Sequence, residues 1–125
     1  MAGKTKGQVE AEISQTLVKF ELEYMGRGPS DVRTHLLGDM VVVRLKGILT
    51  PAERQLVKAE GVELIKQVRA KLLETGRSVL KQRVERITGL SVVSMHSDLS
   101  TTTGERVILF VMSENVEEKF AGLRR

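Results

Sequence analysis

The sequence predicts an α+β domain in which two β-hairpins form a four-stranded, mainly antiparallel sheet with helices packed on one face. Three observations lead to this prediction. Two pairs of β-type runs are each separated by a short turn, apolar residues keep helical spacing on both sides of the first pair, and the 125 residues suit one hydrophobic core. The expected element order is α-ββ-α(α)-ββ-α.

The first helix is predicted over residues 5–25. Thr5 can cap its amino end, and Gly26 stands where a left-handed carboxyl cap is favoured. Pro29 then prevents the helix from continuing. Apolar residues recur at intervals of three and four, which places them on one stripe: Val9, Ile13, Leu17, Phe20 and Tyr24.

The first hairpin is predicted over residues 31–46. Gly38-Asp39 separates its two runs, and glycine at the first central position suits a type II′ turn. A two-residue turn sets the register, so Arg33 is expected opposite Arg44. One face is then apolar, and the other is charged with an apolar end near the turn: Asp31, Arg33, His35, Arg44, Lys46, then Leu37, Met40 and Val42.

A long helical segment is predicted over residues 51–88. Thr50-Pro51-Ala52-Glu53 combines a capping box with proline at the first helical position, and Gly89 is its stop signal. An unbroken helix of this length would extend about 57 Å, which exceeds one side of so small a domain. We therefore expect a break at Gly61 or Gly76, or else an overhang that a second subunit covers.

The second hairpin is predicted over residues 90–99 and 105–112. The polar connector Ser100–Gly104 ends in glycine, as is typical of a longer hairpin loop. A short helix is predicted over residues 114–121 with Ser113 as its cap. Residues 122–125 are expected to fray.

The composition excludes several classes of site. Without cysteine the chain has no disulfide, thiolate zinc site or iron–sulfur cluster, and two histidines without a third clear ligand do not predict a metal site. The apolar runs, such as Met40–Val43, are too short to cross a bilayer, and the first residues do not resemble a secretory signal. We expect a cytoplasmic protein with no cofactor.

The net charge of +4 is concentrated in one segment, because residues 52–86 contain nine basic and five acidic side chains. A basic helix attracts nucleic acid, so a nucleic-acid-binding module using helix 54–86 is the alternative function. Aromatic residues are only 3% and Trp is absent, which argues against base stacking. A solvated helix face explains the same charges and is favoured.

Two basic clusters are candidate binding sites. The loop that contains Arg27 could hold a phosphate or carboxylate, although a structural helix cap is favoured there. On the first hairpin, Arg33 and Arg44 form a like-charge pair beside Lys46. An anionic ligand or a partner's carboxylate would relieve the repulsion, and so would Asp31 or a helix glutamate within the monomer.

A third cluster contains His96 and Asp98, which share a strand face and could hydrogen-bond. No nucleophile motif surrounds them, so catalysis by a hydrolase is the least favoured interpretation. The apolar end of the first hairpin, together with the long helix, predicts exposed apolar surface and hence a homodimer, unless the last helix covers it.

Four segments carry a resemblance to a known family: Gly7–Ser14, Tyr24–Pro29, Asp39–Glu53 and His96–Arg106. In order and spacing they resemble the MpsC-like family, so the chain is interpreted as one domain with a core of about residues 5–113. The resemblance implies a small accessory protein of a cation-translocating, membrane-potential-generating system, in some cases linked to inorganic-carbon uptake. Contact with a membrane transport protein would then be peripheral.

The sequence therefore predicts a non-enzymatic accessory or regulatory protein that binds a protein partner or a small anionic ligand. No catalytic residue and no metal ligand is assigned. Seven residues are predicted to form the interaction surface: Arg27, Arg33, Arg44, Lys46, His96, Asp98 and Arg106.

Overall fold

A computed structural model describes residues 3–122 of the chain. Its four strands form one antiparallel sheet in the order β1-β2-β4-β3. The predicted fold class and element order are confirmed. The elements are α1 (Lys6–Met25), β1 (Asp31–Leu37), β2 (Met40–Lys46), α2 (Pro51–Glu60), α3 (Val62–Thr88), β3 (Val92–Ser100), β4 (Glu105–Met112) and α4 (Val116–Ala121).

The first hairpin has the predicted register, with Arg33 opposite Arg44 and Leu37 opposite Met40. Gly38 has a φ of 60°, and no residue other than glycine has a positive φ within residues 3–122. This is the dihedral pattern of a type II′ turn, which requires the left-handed region only at its first central residue.

The core lies between one face of the sheet and the helices. On α1 the predicted stripe is buried except for Tyr24, which is partly buried, and Phe20 stacks on Tyr24 with ring centroids 4.5 Å apart. Thr5 and Gln8 form the capping box at its start, and Gly26 ends it with a φ of 78°. Strands β2 and β4 supply fully buried side chains to the same core: Val41, Val43, Leu45, Ile108 and Phe110.

The long helical segment breaks at Gly61, where φ is 85° and ψ is 176°. The helix continues through Gly76. Glycine at this position allows close packing of α1 and does not mark a break. A Cβ atom there would lie 2.5 Å from a ring carbon of Phe20, so α1 and α3 approach closely at this point.

Helix α2 buries none of its residues, and α2 and α3 leave several apolar side chains exposed: Leu56, Val62, Leu64 and Val68.

The second half of the chain departs from prediction in its boundaries. Strand β3 begins at Val92, with an irregularity before Ser94, and it extends to Ser100. Helix α4 begins at Val116 because the Asn115 side chain, and not that of Ser113, accepts the backbone N–H of Glu118. Of the residues predicted to fray, 123–125 lie outside the described part of the chain.

Candidate functional site

The strand faces that point away from the core form a second surface, which we call the open face. Helices α1, α3 and α4 pack against the opposite side of the sheet and contribute buried side chains to the core, and α2 packs against α3. Five of the seven predicted residues belong to the open face by their register: Arg33, Arg44, Lys46, His96 and Asp98.

The centre of the open face is apolar. Val42 on β2 pairs with Leu109 on β4, and His35 and His96 flank these two residues on the outer strands. Further apolar side chains continue this centre along the strands: Leu37, Met40, Val107 and Val111. Leu37 is 48% exposed and Val107 is 41% exposed, whereas Met40, Val42, Leu109 and Val111 are half-buried.

The like-charge pair of Arg33 and Arg44 is relieved within the chain. Arg33 Nε lies 3.4 Å from a carboxylate oxygen of Asp31, and Arg44 Nε donates a hydrogen bond to Glu105. The hydrogen bond from Arg44 holds the pKa of Glu105 below its usual value. The contact of Asp31 with Arg33 agrees with the prediction. The second acidic partner is Glu105 of strand β4, and not a glutamate of a helix.

His96 and Asp98 do not pair with each other. The His96 Nε2 atom hydrogen-bonds the Ser94 hydroxyl at 3.0 Å, and Asp98 lies 3.7 Å from the Lys66 ammonium of α3. The two side chains therefore engage different partners, although both belong to the same strand face by their register.

Two predicted residues lie away from the open face. The Arg27 guanidinium donates to the backbone carbonyl of Leu49 at 3.3 Å, next to the glycine cap of α1. Arg106 is only 2% exposed, so in the isolated chain it does not lie on the surface formed by the other predicted residues. It faces the core because it lies on the same face of β4 as Ile108 and Phe110, which are fully buried.

Arg106 belongs to a buried charge cluster, defined as Glu21, Glu53, Arg69 and Arg106. Arg69 donates to both carboxylate oxygens of Glu53, from Nε at 2.8 Å and from Nη2 at 2.6 Å. Arg69 Nη1 lies 3.7 Å from Glu21, and Arg106 Nη1 lies 3.9 Å from Glu21. These last two distances exceed a hydrogen bond, so Glu21 interacts with the arginines by charge alone.

Burial changes the pKa values of this cluster. Desolvation raises the pKa of Glu21, against the attraction of Arg106 and Arg69, and desolvation lowers the pKa of Arg106. For Glu53, burial acts upward, but the hydrogen bonds from Arg69 and Thr50 outweigh it and the pKa is lowered. The cluster thus contains one hydrogen-bonded carboxylate with a lowered pKa, Glu53, and one buried carboxyl with a raised pKa, Glu21.

Three members of the cluster were missed by the sequence analysis, although a signal existed. Glu21 follows Leu17 by four residues on the apolar stripe of α1, and Arg69 lies four residues from both Ile65 and Leu73 on α3. A charged residue at a core position of a periodic pattern indicates a buried, paired charge. Glu53 is the acidic residue of the predicted capping box, which its backbone contact with Thr50 confirms.

The basic segment has less free charge than its composition indicates. Four of its nine basic side chains form ion pairs with acidic residues of this chain: Lys66 with Asp98, Arg69 with Glu53, Arg77 with Glu74, and Arg83 with Glu23. These pairs reduce the charge that the segment offers to a polyanion.

Residues 3–122 were also compared with the requirements for a metal site and for a membrane-spanning helix. No group of three or more His, Asp or Glu side chains in this range is placed to hold a metal ion. Within the same range, none of the helices has the length and apolar character needed to cross a membrane.

Comparison with known proteins gives a family match over most of the chain. The family model described as "Na+-translocating membrane potential-generating system (MpsC)" matches residues 5–114. The uncharacterized protein YbcI of Bacillus subtilis is 47% identical over 116 residues, which cover 92% of this chain and 94% of YbcI. The uncharacterized protein YrhF of the same organism is 25% identical over 115 residues, covering 90% and 94%. No solved structure matches.

Proposed function

The chain belongs to the MpsC family, and from this premise we propose that it is a non-enzymatic accessory protein that acts through the open face of its sheet. The family description names a system that translocates a cation across a membrane. In this proposal the protein works on the cytoplasmic side, and its assembled form contacts a membrane protein that transports a cation or inorganic carbon.

The observation that carries the proposal is the apolar centre of the open face. An antiparallel sheet with one face in water normally alternates apolar and polar residues, so that its outer face is polar. Here the outward positions of β2 and β4 include Met40, Val42, Leu109 and Val111. A contiguous apolar surface surrounded by charged residues is typical of a protein-binding surface.

We assign the occupant of the open face to a second copy of the chain. Two sheets pack face to face about 10 Å apart with their strands nearly aligned. A two-fold axis parallel to the strands, between β2 and β4, would place Val42 over Leu109 of a second copy. Apolar residues would then cover apolar residues on both sides of the axis.

The charges at the edge of the open face fit the same symmetry. Arg33 on β1 would lie over Asp98 of the second copy on β3, and Lys46 on β2 would lie over Glu105 on β4. Both pairs have opposite signs, and the symmetry forms each pair twice. Such complementarity favours one orientation of the two copies over others.

The arrangement of His96 supports a function without catalysis. A serine nucleophile of the Ser-His-Asp type requires an aspartate that orients the histidine. His96 contacts Ser94, but Asp98 faces Lys66 of α3 at 3.7 Å. The three groups are therefore not assembled as a relay.

The proposal is tested by the stoichiometry of the full chain in native mass spectrometry and sedimentation velocity. The two decisive variants are Val107→Glu on the open face and Val68→Glu on α3. Their valines are matched, with 41% and 42% exposure, but lie on different surfaces. We expect a dimer for the wild type and for Val68→Glu, and a folded monomer for Val107→Glu.

Three results would contradict the proposal. A monomeric wild type would remove the second copy from the open face. Dissociation by Val68→Glu with an intact Val107→Glu dimer would place the contact on the exposed apolar residues of α2 and α3. Assembly only on added nucleic acid, with a steep dependence on salt, would favour the basic segment.

A further inference from the structure

A small cavity lies where α3 meets the edge strand β3 and its neighbour β4. Its volume is about 180 Å³. Arg69 and Arg106, each 2% exposed, line its inner side. Lys66 and Asp98, whose side chains are 40% and 88% exposed, line its outer side, and Ser97 contributes a hydroxyl.

The two buried arginines have donors without partners. Arg69 Nη1, Arg106 Nε and Arg106 Nη1 are buried and make no hydrogen bond. Arg106 Nη2 reaches only the backbone carbonyl of Arg69, at 3.4 Å. A buried donor that lacks an acceptor is strongly unfavourable, and more so when the group is charged. Native proteins rarely bury such donors without a reason.

Glu21 does not account for these donors. Its two carboxylate oxygens are also buried without a hydrogen-bond partner, and they remain 3.7 and 3.9 Å from the nearest guanidinium nitrogens. Glu53 is already engaged by Nε and Nη2 of Arg69. Arg106 therefore has no carboxylate within hydrogen-bond distance among the described residues.

The volume and the donors restrict the ligand. A guanidinium group matches the geometry of oxyanions and binds them through two parallel hydrogen bonds. At roughly 30 Å³ for each water molecule, the cavity has room for about six. This volume is below the roughly 300 Å³ at which drug-sized ligand pockets begin, so it suits a small anion and not a nucleotide.

We propose that this cavity binds a small free oxyanion of the size of phosphate, sulfate or a short carboxylate. Arg69 and Arg106 are the inner donors, and Lys66 closes the outer side by turning from Asp98 toward the anion. The Ser97 hydroxyl supplies a further donor. Because the site lies at the edge of the sheet and uses core-facing arginines, it goes beyond the contact proposed for the open face.

The roles of Lys66 and Asp98 make the site distinguishable from general attraction to a basic surface. Lys66 adds a positive charge to the cavity, so its removal weakens binding. Asp98 places a carboxylate at the same opening and holds Lys66, so its removal leaves the affinity equal or makes it tighter. Lys71 is exposed on the same helix and does not line the cavity, which makes it the matched control.

The test uses thermal unfolding and calorimetric titration of the full chain with phosphate, sulfate and acetate at constant ionic strength set by chloride. We expect at least one of the three anions to raise the melting temperature above the chloride reference and to titrate with one site per chain. Affinity should fall about tenfold in Lys66→Gln, as for one lost charge-assisted hydrogen bond. It should be unchanged in Lys71→Gln and equal or tighter in Asp98→Asn.

Arg106→Gln should abolish binding, and if this variant does not fold, the three surface variants still decide the question. A response to chloride equal to that of the oxyanions would overturn the proposal. So would equal losses in Lys66→Gln and Lys71→Gln, or an affinity that Asp98→Asn weakens. The stoichiometry of the Val107→Glu variant is independent of these readouts, so either proposal can fail alone.

Discussion

Arg33 on β1 and Asp98 on β3 lie in one row across the open face, at opposite edges of the sheet. The row runs from Arg33 through Arg44 and Val107 to Asp98, as the register of the three strand pairs shows. A basic side chain at one edge and an acidic side chain at the other edge make the row complementary to itself after a two-fold rotation.

The first prediction is a charge reversal across this row. Arg33→Asp and Asp98→Arg should each weaken the dimer, because each places two like-charged pairs across the symmetric contact. We expect about a tenfold change in the dissociation constant, since exposed pairs contribute up to about 1 kcal/mol each. The double variant should recover most of the loss in sedimentation equilibrium.

Lys71→Asp is the control for this series, because it makes the same change of charge on α3, away from the open face. Its dimer should match the wild type once the ionic strength is fixed. A double variant that remains as weak as the poorer single variant would show that Arg33 and Asp98 do not face each other.

The second prediction concerns Glu53, which joins α2 to α3. Glu53→Gln removes the carboxylate that accepts two hydrogen bonds from Arg69, so the buried guanidinium loses its hydrogen-bonded counter-charge. We expect the free energy of unfolding in urea to fall by about 3–5 kcal/mol, as for a broken buried ion pair. Glu63→Gln, in the first turn of α3, should change it by less than about 0.5 kcal/mol.

The third prediction is a dependence of stability on pH that originates at Glu21. Burial raises its pKa from the ordinary value of 4.5, so the folded chain binds this proton more tightly than the unfolded chain. The contribution of Glu21 to stability is therefore complete below pH 4.5 and is lost as the pH rises through the raised pKa.

Glu21→Gln cannot ionise, so it should lack this loss. Urea unfolding of both proteins at a series of pH values above 4.5 should show a difference that turns in favour of the variant as the pH rises. Taking the difference cancels groups common to both proteins, including Glu53, whose lowered pKa acts below this range. Two parallel stability curves would contradict the assignment.

The fourth prediction tests the close approach of α1 and α3. Gly76→Ala would place a Cβ atom 2.5 Å from the Phe20 ring, so the ring or a helix must move. We expect a loss of about 1–3 kcal/mol in the free energy of unfolding, as for overpacking of a core. Gly7→Ala, with no atom within 4 Å of its added Cβ, should stabilise α1 by up to about 1 kcal/mol. If Gly7→Ala instead lowered the free energy of unfolding, helix propensity would not determine stability at the amino end of α1.

The local signals in the sequence were sufficient for most of the fold. The Gly38-Asp39 turn fixed the register that brought Arg33 opposite Arg44, and the capping box at Thr50 located the start of α2. The strand order was not predictable, because pairing of β2 with β4 depends on contacts between residues more than sixty positions apart. The cap of α4 was misassigned because Ser113 and Asn115 are both good capping residues and only the backbone decides between them.

The residues of the candidate sites were likewise predictable where they depend on local alternation and unpredictable where they depend on tertiary contacts. The charged residues of the open face follow from alternation along each strand, so sequence reasoning placed Arg33, Arg44 and Lys46 on one surface. It did not place Arg69 beside Glu53, because that contact depends on how α2 turns at Gly61. Arg106 was predicted to belong to the interaction surface, although it shares a strand face with Ile108 and Phe110, whose apolar side chains indicated the core.

The contact between two open faces is tested most directly by a distance between two copies. The chain has no cysteine, so Ser100→Cys introduces a unique nitroxide label at the exposed end of β3. With sheets about 10 Å apart and strands about 4.8 Å apart, the proposed symmetry places the two labelled Cα atoms roughly 17 Å from each other. Double electron–electron resonance should give a short distance of this order, which dilution with unlabelled protein removes. A stable dimer whose labels are more than about twice as far apart, or a chain that stays monomeric, would contradict the account.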